Sequence, residues 1–197
     1  MNTMLRKTVT AFAGFAFAGG ALLGVSGAAS AAPAPAAPSM TSVAYVASDK
    51  PTVESLTPHG VQGEQSYLQL SVEQVASAKA IIAATKKSGM DERAAVVAIA
   101  TSLQESKLEN LGHLGALNDH DSLGLFQQRP SVGWGTPEQV TDPGYATGAF
   151  LSGLKNVDGW RDMPLTDAAQ AVQVSAYPFA YAQWESMAAK TVAAYWS

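Results

Sequence analysis

The feature that most limits the fold is a succession of helix start and stop signals that begins at Ser71. Ser71 is followed three residues later by Gln74, which is the spacing of a capping box. Gly89 supplies the stop, because glycine readily adopts the left-handed conformation that ends helices. The pattern therefore predicts a helix over about 72–88.

The same kind of signal recurs along the rest of the chain. Asp91 is a capping residue for a second helix, over about 92–109. Thr136-Pro137 and Asp142-Pro143 each place a capping side chain before a proline at the first helical position. Further helices are predicted over about 143–156, 167–176 and 179–195. Between them, the stretch from Leu111 to Gly135 is rich in glycine and is expected to be irregular. These signals predict one mainly α domain over 71–197.

The chain before this domain has two parts. Arg6 and Lys7 precede an apolar run that exits in the small residues Ala29-Ser30-Ala31, the order typical of a secretory signal peptide over 1–31. Residues 32–70 are rich in proline, alanine and serine, and they are interpreted as a flexible linker. We therefore expect an exported protein that no longer contacts the membrane once the signal is removed.

Composition narrows the function further. The formal net charge is −4, and loss of Arg6 and Lys7 would leave the mature chain more acidic still. Nucleic acid is a poor candidate partner, because phosphate binding needs a basic surface. The chain contains no cysteine, so it has neither disulfides nor thiol catalysis, and its stability must come from its core. A monomer without a cofactor is expected.

Glu105 is the most informative single residue. It falls in the predicted 92–109 helix, and Thr101, Ala98 and Leu108 share its face at helical spacing. A carboxyl among small and apolar side chains has a raised pKa, because burial disfavours its charged form. Such a group is suited to general-acid catalysis on a departing oxygen. The alternatives are an ordinary surface glutamate, or a glutamate paired with Lys107 or Arg93.

The segment "DSLGLFQQRPSVGW" is the second candidate feature. Leu123, Leu125 and Phe126 are expected to pack into the core around a turn at Gly124. Packing does not explain the glutamines that follow, and an amide such as that of Gln127 offers the donors and acceptor that sugar hydroxyl and acetamido groups need. An indole such as that of Trp134 could stack on a sugar face.

Two further sets of residues carry side chains that could bind a metal ion or a substrate. His113, Asp119, His120 and Asp121 match no defensible metal-ligand spacing, so no metal site is predicted. Tyr177 stands immediately before Pro178 at an expected helix break. Its hydroxyl could reach a nearby acid or a substrate, or the ring could simply pack into the core.

These motifs, in this order, resemble the lysozyme-like superfamily and specifically its soluble lytic transglycosylase domains. The sequence "QES" at 104–106 is similar to the helix end of that family, and "GLFQ" at 124–127 is similar to its Gly-Leu-Met-Gln turn. "SAYP" at 175–178 matches the family's Ala-Tyr-Asn-Ala-Gly segment only at its Ala-Tyr core. The resemblance covers about 71–197 and implies a lysozyme-like helical fold.

The resemblance also implies a function and roles for individual residues. The expected activity is cleavage of the β-1,4 bond between N-acetylmuramic acid and N-acetylglucosamine in peptidoglycan, by an enzyme that is secreted and associated with the cell wall. Glu105 would protonate the departing oxygen, while Ser106, Gln127 and Tyr177 would contact the glycan strand. A transglycosylase would need no second acid, whereas a hydrolase would use one, for which Asp119 and Asp121 are the candidates.

An alternative remains within the same fold. The chain could be a catalytically inactive exported protein that binds the cell wall or serves a structural role, because a fold does not by itself establish chemistry.

Overall fold

A computed structural model describes residues 50–197, so the predicted signal peptide at 1–31 and the first part of the predicted linker lie outside the described residues. The prediction of a mainly α fold is confirmed: over 50–197 the chain forms seven α-helices and no strand longer than a single bridge. The helices are α1 Val53–Leu56, α2 Val72–Lys87, α3 Glu92–Ser106, α4 Pro137–Val140, α5 Pro143–Lys155, α6 Leu165–Gln173 and α7 Glu185–Tyr195.

The predicted capping residues begin the helices assigned to them. Ser71 Oγ accepts a hydrogen bond from Gln74 N, and Gln74 Oε1 accepts one from Ser71 N, which completes the capping box of α2. Asp91 accepts from Ala94 N at the start of α3, and Asp142 accepts from Tyr145 N at the start of α5. The local chemistry of these side chains therefore sets where the helices begin.

Helix α3 is the centre of the core. Most of its residues are buried, and α2, α5, α6 and α7 all pack against it. Ile99 and Leu103 are fully buried, and burial of each such side chain stabilises the fold by roughly 1.5–3 kcal/mol. Phe126 packs parallel to Phe150 with ring centroids 5.0 Å apart, which connects the glycine-rich segment to α5. The site-bearing segments are thus attached to a single apolar core.

A buried ion pair joins three helices. Arg93 Nη1 of α3 lies 2.7 Å from Glu185 Oε1 of α7 and donates a second hydrogen bond to the carbonyl of Leu56 in α1. The side chains of Arg93 and Glu185 are only 9% and 2% exposed. Removal of either partner would leave the other charge buried alone, which is strongly unfavourable.

Residues 50–70 differ from the expected flexible linker. They contain α1 and then a segment without regular secondary structure, here called the strap (residues 61–70), that is hydrogen-bonded to residues 182–186. Gln65 Nε2 donates to the carbonyl of Ala182, and Gln65 Oε1 accepts from Ser186 N. Ser66 N donates to the carbonyl of Gln183 at 2.7 Å. The polar composition that favoured a linker instead provides hydrogen bonds to this neighbouring segment.

Three helix boundaries also differ from the sequence prediction. Helix α3 ends at Ser106 rather than near 109, because Lys107 and Leu108 adopt positive φ values of 56° and 64°. The last helix begins at Glu185 rather than 179, after a short 3-10 turn at Ala182–Trp184. Helix α6 ends at Gln173 rather than near 176, because Val174 adopts a positive φ of 51°. All three differences fall at segments that border the site.

The glycine-rich stretch is irregular, as expected. It contains short 3-10 turns at Gly115–Leu117 and Pro130–Val132, and one antiparallel bridge joins Leu123 to Gln128. None of the helices in residues 50–197 has the length and apolar character needed to cross a membrane.

Candidate functional site

A polar cleft of about 510 Å³ lies where the end of α3 meets the glycine-rich stretch and the segment that follows α6. Its lining combines amides, acids, one arginine and two aromatic rings. The lining residues are Gln104, Glu105, Asp119, Ser122, Gln127, Gln128, Arg129, Val132, Trp134, Gln173, Val174, Ser175, Ala176 and Tyr177. A larger concavity of about 740 Å³ between α2 and α5 is lined mainly by small side chains and lacks this convergence of polar groups.

Glu105 is held at the wall of this cleft by two side chains that are distant from it in the sequence. The hydroxyl of Tyr181 donates a hydrogen bond of 2.8 Å to Glu105 Oε1. Gln173 Nε2 lies 3.3 Å from the same oxygen and also donates to the carbonyl of Phe126 at 3.0 Å. These contacts use one carboxylate oxygen, so Oε2 has no hydrogen-bonded partner among the described residues.

The environment of Glu105 raises its pKa. The main cause is burial, which disfavours the charged carboxylate, and the nearby charge of Asp119 acts in the same direction. The hydrogen bonds from Tyr181 and Gln173 and the ammonium group of Lys107 oppose this effect, but burial outweighs them. Burial and the adjacent carboxylate likewise raise the pKa of the Tyr181 hydroxyl, which therefore stays protonated and donates. Glu105 keeps its proton to higher pH than an exposed glutamate.

The end of α3 places Glu105 one residue before the helix stops. Lys107 takes the left-handed cap position, and its Nζ donates to the carbonyls of Leu103 and Gln104. The same ammonium group lies 4.8 Å from the ring centroid of Trp184. A cation at the carboxyl end of a helix is favoured by the helix dipole, so the position of Lys107 beside Glu105 is well determined.

Ser106 lies beside Glu105 but has a different position from the one expected of a substrate contact. Its side chain is buried, and Oγ donates to the carbonyl of Leu125 at 2.9 Å and lies 3.2 Å from that of Ser102. It does not line the cleft. Ser106 therefore fixes the end of α3 to the turn around Gly124, and in this way it helps to orient Glu105.

The turn after Ser122 requires glycine at position 124. Gly124 has a φ of +72°, and a Cβ placed on it would come within 2.0 Å of the carbonyl oxygen of Val140. Leu123, Leu125 and Phe126 are buried, as the sequence predicts. This close contact with α4 allows the turn to sit deep in the fold and brings the following glutamine to the cleft.

Gln127 faces the cleft, as the sequence predicts for a polar group that packing does not explain. It adopts a φ of +47°, and its Nε2 donates to the carbonyl of Gly124 at 3.0 Å. Its Oε1 accepts no hydrogen bond from the described part of the chain. The neighbouring Gln128 points inwards instead, where its Nε2 donates to the carbonyl of Ala146. Of the two glutamines, Gln127 has the free polar groups that a ligand could use.

The sequence predicts that Tyr177 could reach a nearby acid or a substrate, but in the structure two different tyrosines occupy these positions. Tyr177 lines the cleft, but its side chain is 73% exposed and it makes no hydrogen bond to Glu105. The tyrosine that is hydrogen-bonded to Glu105 is Tyr181, and its side chain is fully buried. Pro178 and the turn that follows separate the two, so Tyr177 remains a candidate for contact with a ligand and Tyr181 positions the acid.

Asp119 and Asp121, the candidate second acids, have different environments. Asp121 is bonded to Ser131 N, Ser131 Oγ and Arg129 Nε, and these contacts hold its pKa well below the usual range. Asp119 lines the cleft, but its side chain is 86% exposed and contacts His120. Within residues 50–197, no group of three or more histidine or acidic side chains is arranged to hold a metal ion.

Two of the groups that hold Glu105 were missing from the sequence interpretation. The sequence pattern predicts Gln173 only as a residue of the 167–176 helix, and Tyr181 only as a residue of the 179–195 helix. A signal did exist for Tyr181, since it lies only four residues after Tyr177 and precedes Trp184 in an unusually aromatic stretch. No local signal marks Gln173, because its role depends on the distance between α6 and α3.

Comparison with known proteins adds no identification. No protein-family model matches the chain, and no curated protein shows significant similarity to it.

Proposed function

We propose that this protein is a peptidoglycan-cleaving enzyme with a lysozyme-like fold, in which Glu105 is the general acid. The observation that carries the proposal is a half-buried carboxyl of raised pKa at the wall of a polar cleft. Its Oε1 is held by two donors while Oε2 has none, and a raised pKa favours the protonated form that a general acid needs.

The reaction begins with transfer of the Glu105 proton to the oxygen that bridges two sugars. The bond between that oxygen and the anomeric carbon then breaks, and the leaving sugar departs as an alcohol. The resulting carboxylate is stabilised by the hydrogen bonds from Tyr181 and Gln173. The hydrogen bonds from both groups therefore become stronger as negative charge develops on Glu105. Donors placed in advance at a developing charge are a general means of electrostatic catalysis.

The second half of the reaction is proposed to use the same carboxylate. Glu105 removes a proton from the 6-hydroxyl of the muramoyl unit, whose oxygen attacks the anomeric carbon and gives an anhydro end. This route is favoured here because Asp121 has both oxygens engaged in hydrogen bonds and Asp119 is mostly exposed. Gln127, Trp134 and Tyr177 remain the proposed contacts to the glycan strand.

The test is muropeptide release from purified sacculi by the mature protein. We expect release by the wild type and a loss of at least about a hundredfold in Glu105→Gln, because general-acid catalysis contributes roughly 10²–10⁴-fold. Glu109→Gln, an exposed glutamate just beyond the same helix, is the matched control and should retain full activity.

Mass analysis of the released fragments separates the two possible outcomes, because anhydro and hydrolysed ends differ by one water. Sacculi that are bound but yield no fragments would instead favour the alternative of a non-catalytic wall-binding protein. Unchanged release by Glu105→Gln would refute the proposed role of this residue.

A further inference from the structure

Arg129 is the single basic residue in the lining of the cleft, among the residues that the structure describes. Its Nε donates to Asp121 Oδ1 at 3.0 Å, and its side chain is 37% exposed. Its two terminal nitrogens, Nη1 and Nη2, form no hydrogen bond within residues 50–197. Both terminal nitrogens of the guanidinium group are therefore free at the cleft that contains Glu105.

The orientation of Arg129 is set by a rigid partner. Asp121 is fixed by Ser131, whose backbone N–H lies 2.7 Å from Oδ2 and whose hydroxyl lies 2.8 Å from Oδ1. The Asp121 carboxylate consequently holds the Nε edge of the guanidinium and leaves the terminal nitrogens for another acceptor. Paired N–H groups of this kind match the two oxygens of a carboxylate.

Arg129 also supplies a positive charge in a cleft that otherwise contains acidic groups. The chain has a formal net charge of −4, and Glu105 and Asp119 add acidic groups to the cleft itself. A polymer that carries carboxylates is repelled by such a protein unless a local cation faces it.

We propose that Arg129 binds a carboxylate carried by the glycan substrate, so that the cleft selects acidic glycan strands over neutral ones. The proposal rests on the proposed function, and it adds the substituent that is recognised and the residue that recognises it. In this proposal Arg129 selects the substrate, whereas Glu105 takes part in cleavage of the bond between the two sugars.

The experiment compares native sacculi with sacculi whose carboxyl groups have been converted to methylamides. Initial rates of fragment release are measured at low substrate concentration for the wild type and for Arg129→Gln. On native sacculi we expect Arg129→Gln to be roughly ten- to a hundredfold slower, the effect of losing a hydrogen bond to a charged group. On the methylamidated sacculi the two proteins should have equal rates.

Arg161→Gln is the matched control. Arg161 also pairs with an aspartate through Nε, at 2.7 Å from Asp91 Oδ2, but it does not line the cleft. It should behave like the wild type on both substrates. An equal loss by Arg129→Gln on native and methylamidated sacculi would overturn the proposal, because it would show that Arg129 acts only through Asp121 and the fold.

A binding measurement separates this proposal from the proposed function. Glu105→Gln, with and without Arg129→Gln, is sedimented with each type of sacculi. Stronger binding to native than to methylamidated sacculi, lost in the double variant, supports carboxylate recognition even where the wild type releases no fragments. The wild type could release fragments while neither binding nor rates depend on the carboxylates of the sacculi. That result would refute the Arg129 proposal but not the proposed role of Glu105.

Discussion

Glu105 shows how a single residue can be placed by the sequence while its chemistry is set by distant groups. Its helical position follows from the capping residue Asp91 and from the spacing of its neighbours. The hydrogen bonds that orient it come from Gln173 and Tyr181, which are 68 and 76 residues away in the chain. The position of the acid could therefore be predicted from local pattern, but its partners could not.

The raised pKa of Glu105 has a consequence for stability. Between its unfolded and folded pKa values the native state binds the proton more tightly, so stability falls as pH rises through that interval. We predict that Glu105→Gln has a higher melting temperature than the wild type at pH 7–8. The difference should vanish below the pKa of an unfolded glutamate, where both side chains are neutral.

Thermal unfolding followed by circular dichroism from acidic to mildly alkaline pH checks this prediction, with Glu109→Gln as the control. An equal gain in the control would attribute the effect to net charge rather than to burial of Glu105.

Lys107 limits how far the pKa of Glu105 rises, and this bears on the upper end of the proposed catalytic pH range. Its ammonium group opposes the rise in the Glu105 pKa, because a nearby positive charge favours the carboxylate. We predict that Lys107→Met shifts the basic limb of the pH–rate profile to higher pH, since Glu105 would keep its proton further into the alkaline range.

The control for Lys107 is Lys79→Met. Lys79 also lies over an aromatic ring, that of Tyr195 at 4.9 Å, but it is not among the groups that affect Glu105. The profile of Lys79→Met should match that of the wild type. A basic limb of Lys107→Met that stays in place would contradict the assigned electrostatic role.

At the scale of elements, the sequence predicted the helices whose first residues carry their own signals. Ser71, Asp91, Thr136 and Asp142 cap the helices for which they were proposed. The strap and the 3-10 turn before α7 were missed, because their conformation depends on hydrogen bonds between residues more than 100 positions apart. Periodicity and capping are local, and they carry no information about such contacts.

The strap contacts the same segment that contains Tyr181. Ser66 Oγ donates to Gln183 Oε1, and Gln183 Nε2 donates in turn to Gln104 Oε1 at the cleft. A continuous set of hydrogen bonds thus leads from the strap to the residue beside Glu105. The strap, which is the last part of the predicted linker, is thus hydrogen-bonded to the segment between Tyr181 and α7.

We predict that Gln65→Ala lowers the free energy of unfolding by about 1–3 kcal/mol, because it leaves Ser186 N and the Ala182 carbonyl without these partners. Chemical denaturation measures this change. Gln62→Ala is the control, because its exposed side chain forms no hydrogen bond within the described residues, and its stability should be unchanged. Equal stability of the two variants would argue that the strap contacts contribute little.

At the scale of the whole molecule, the fold must remain stable without disulfides, since the chain contains no cysteine. The core around α3 provides most of this stability, and the buried pair of Arg93 and Glu185 ties α1 and α7 to it. Arg93 was considered from the sequence only as a partner for Glu105. Its partner in the structure is Glu185. The sequence could not predict this choice, because Glu105 and Glu185 both lie in predicted helices and no local pattern distinguishes them.

We predict that Arg93→Ala destabilises the protein by about 3–5 kcal/mol, because it leaves the Glu185 carboxylate buried without a partner. Arg161→Ala, which breaks a surface pair with Asp91, should cost only about 0–1 kcal/mol. Equilibrium denaturation compares the two. The double variant Arg93→Met/Glu185→Leu should regain most of the loss, and failure to do so would indicate that the Leu56 contact matters more than the charge.

Under the proposed function, the contact between Ser106 and Leu125 bears on how a glycan strand would be held in the cleft. It joins the acid-bearing helix to the Gly124 turn. Residues 174–177 also line the cleft and carry the exposed side chains of Val174 and Tyr177, and Val174 holds a left-handed backbone at a φ of 51°, which is unfavourable for a β-branched residue. Gln173 and Tyr181, which hold Glu105, directly precede and follow this segment, so under the proposed function a glycan strand that displaces it would also shift the hydrogen-bond donors of the acid.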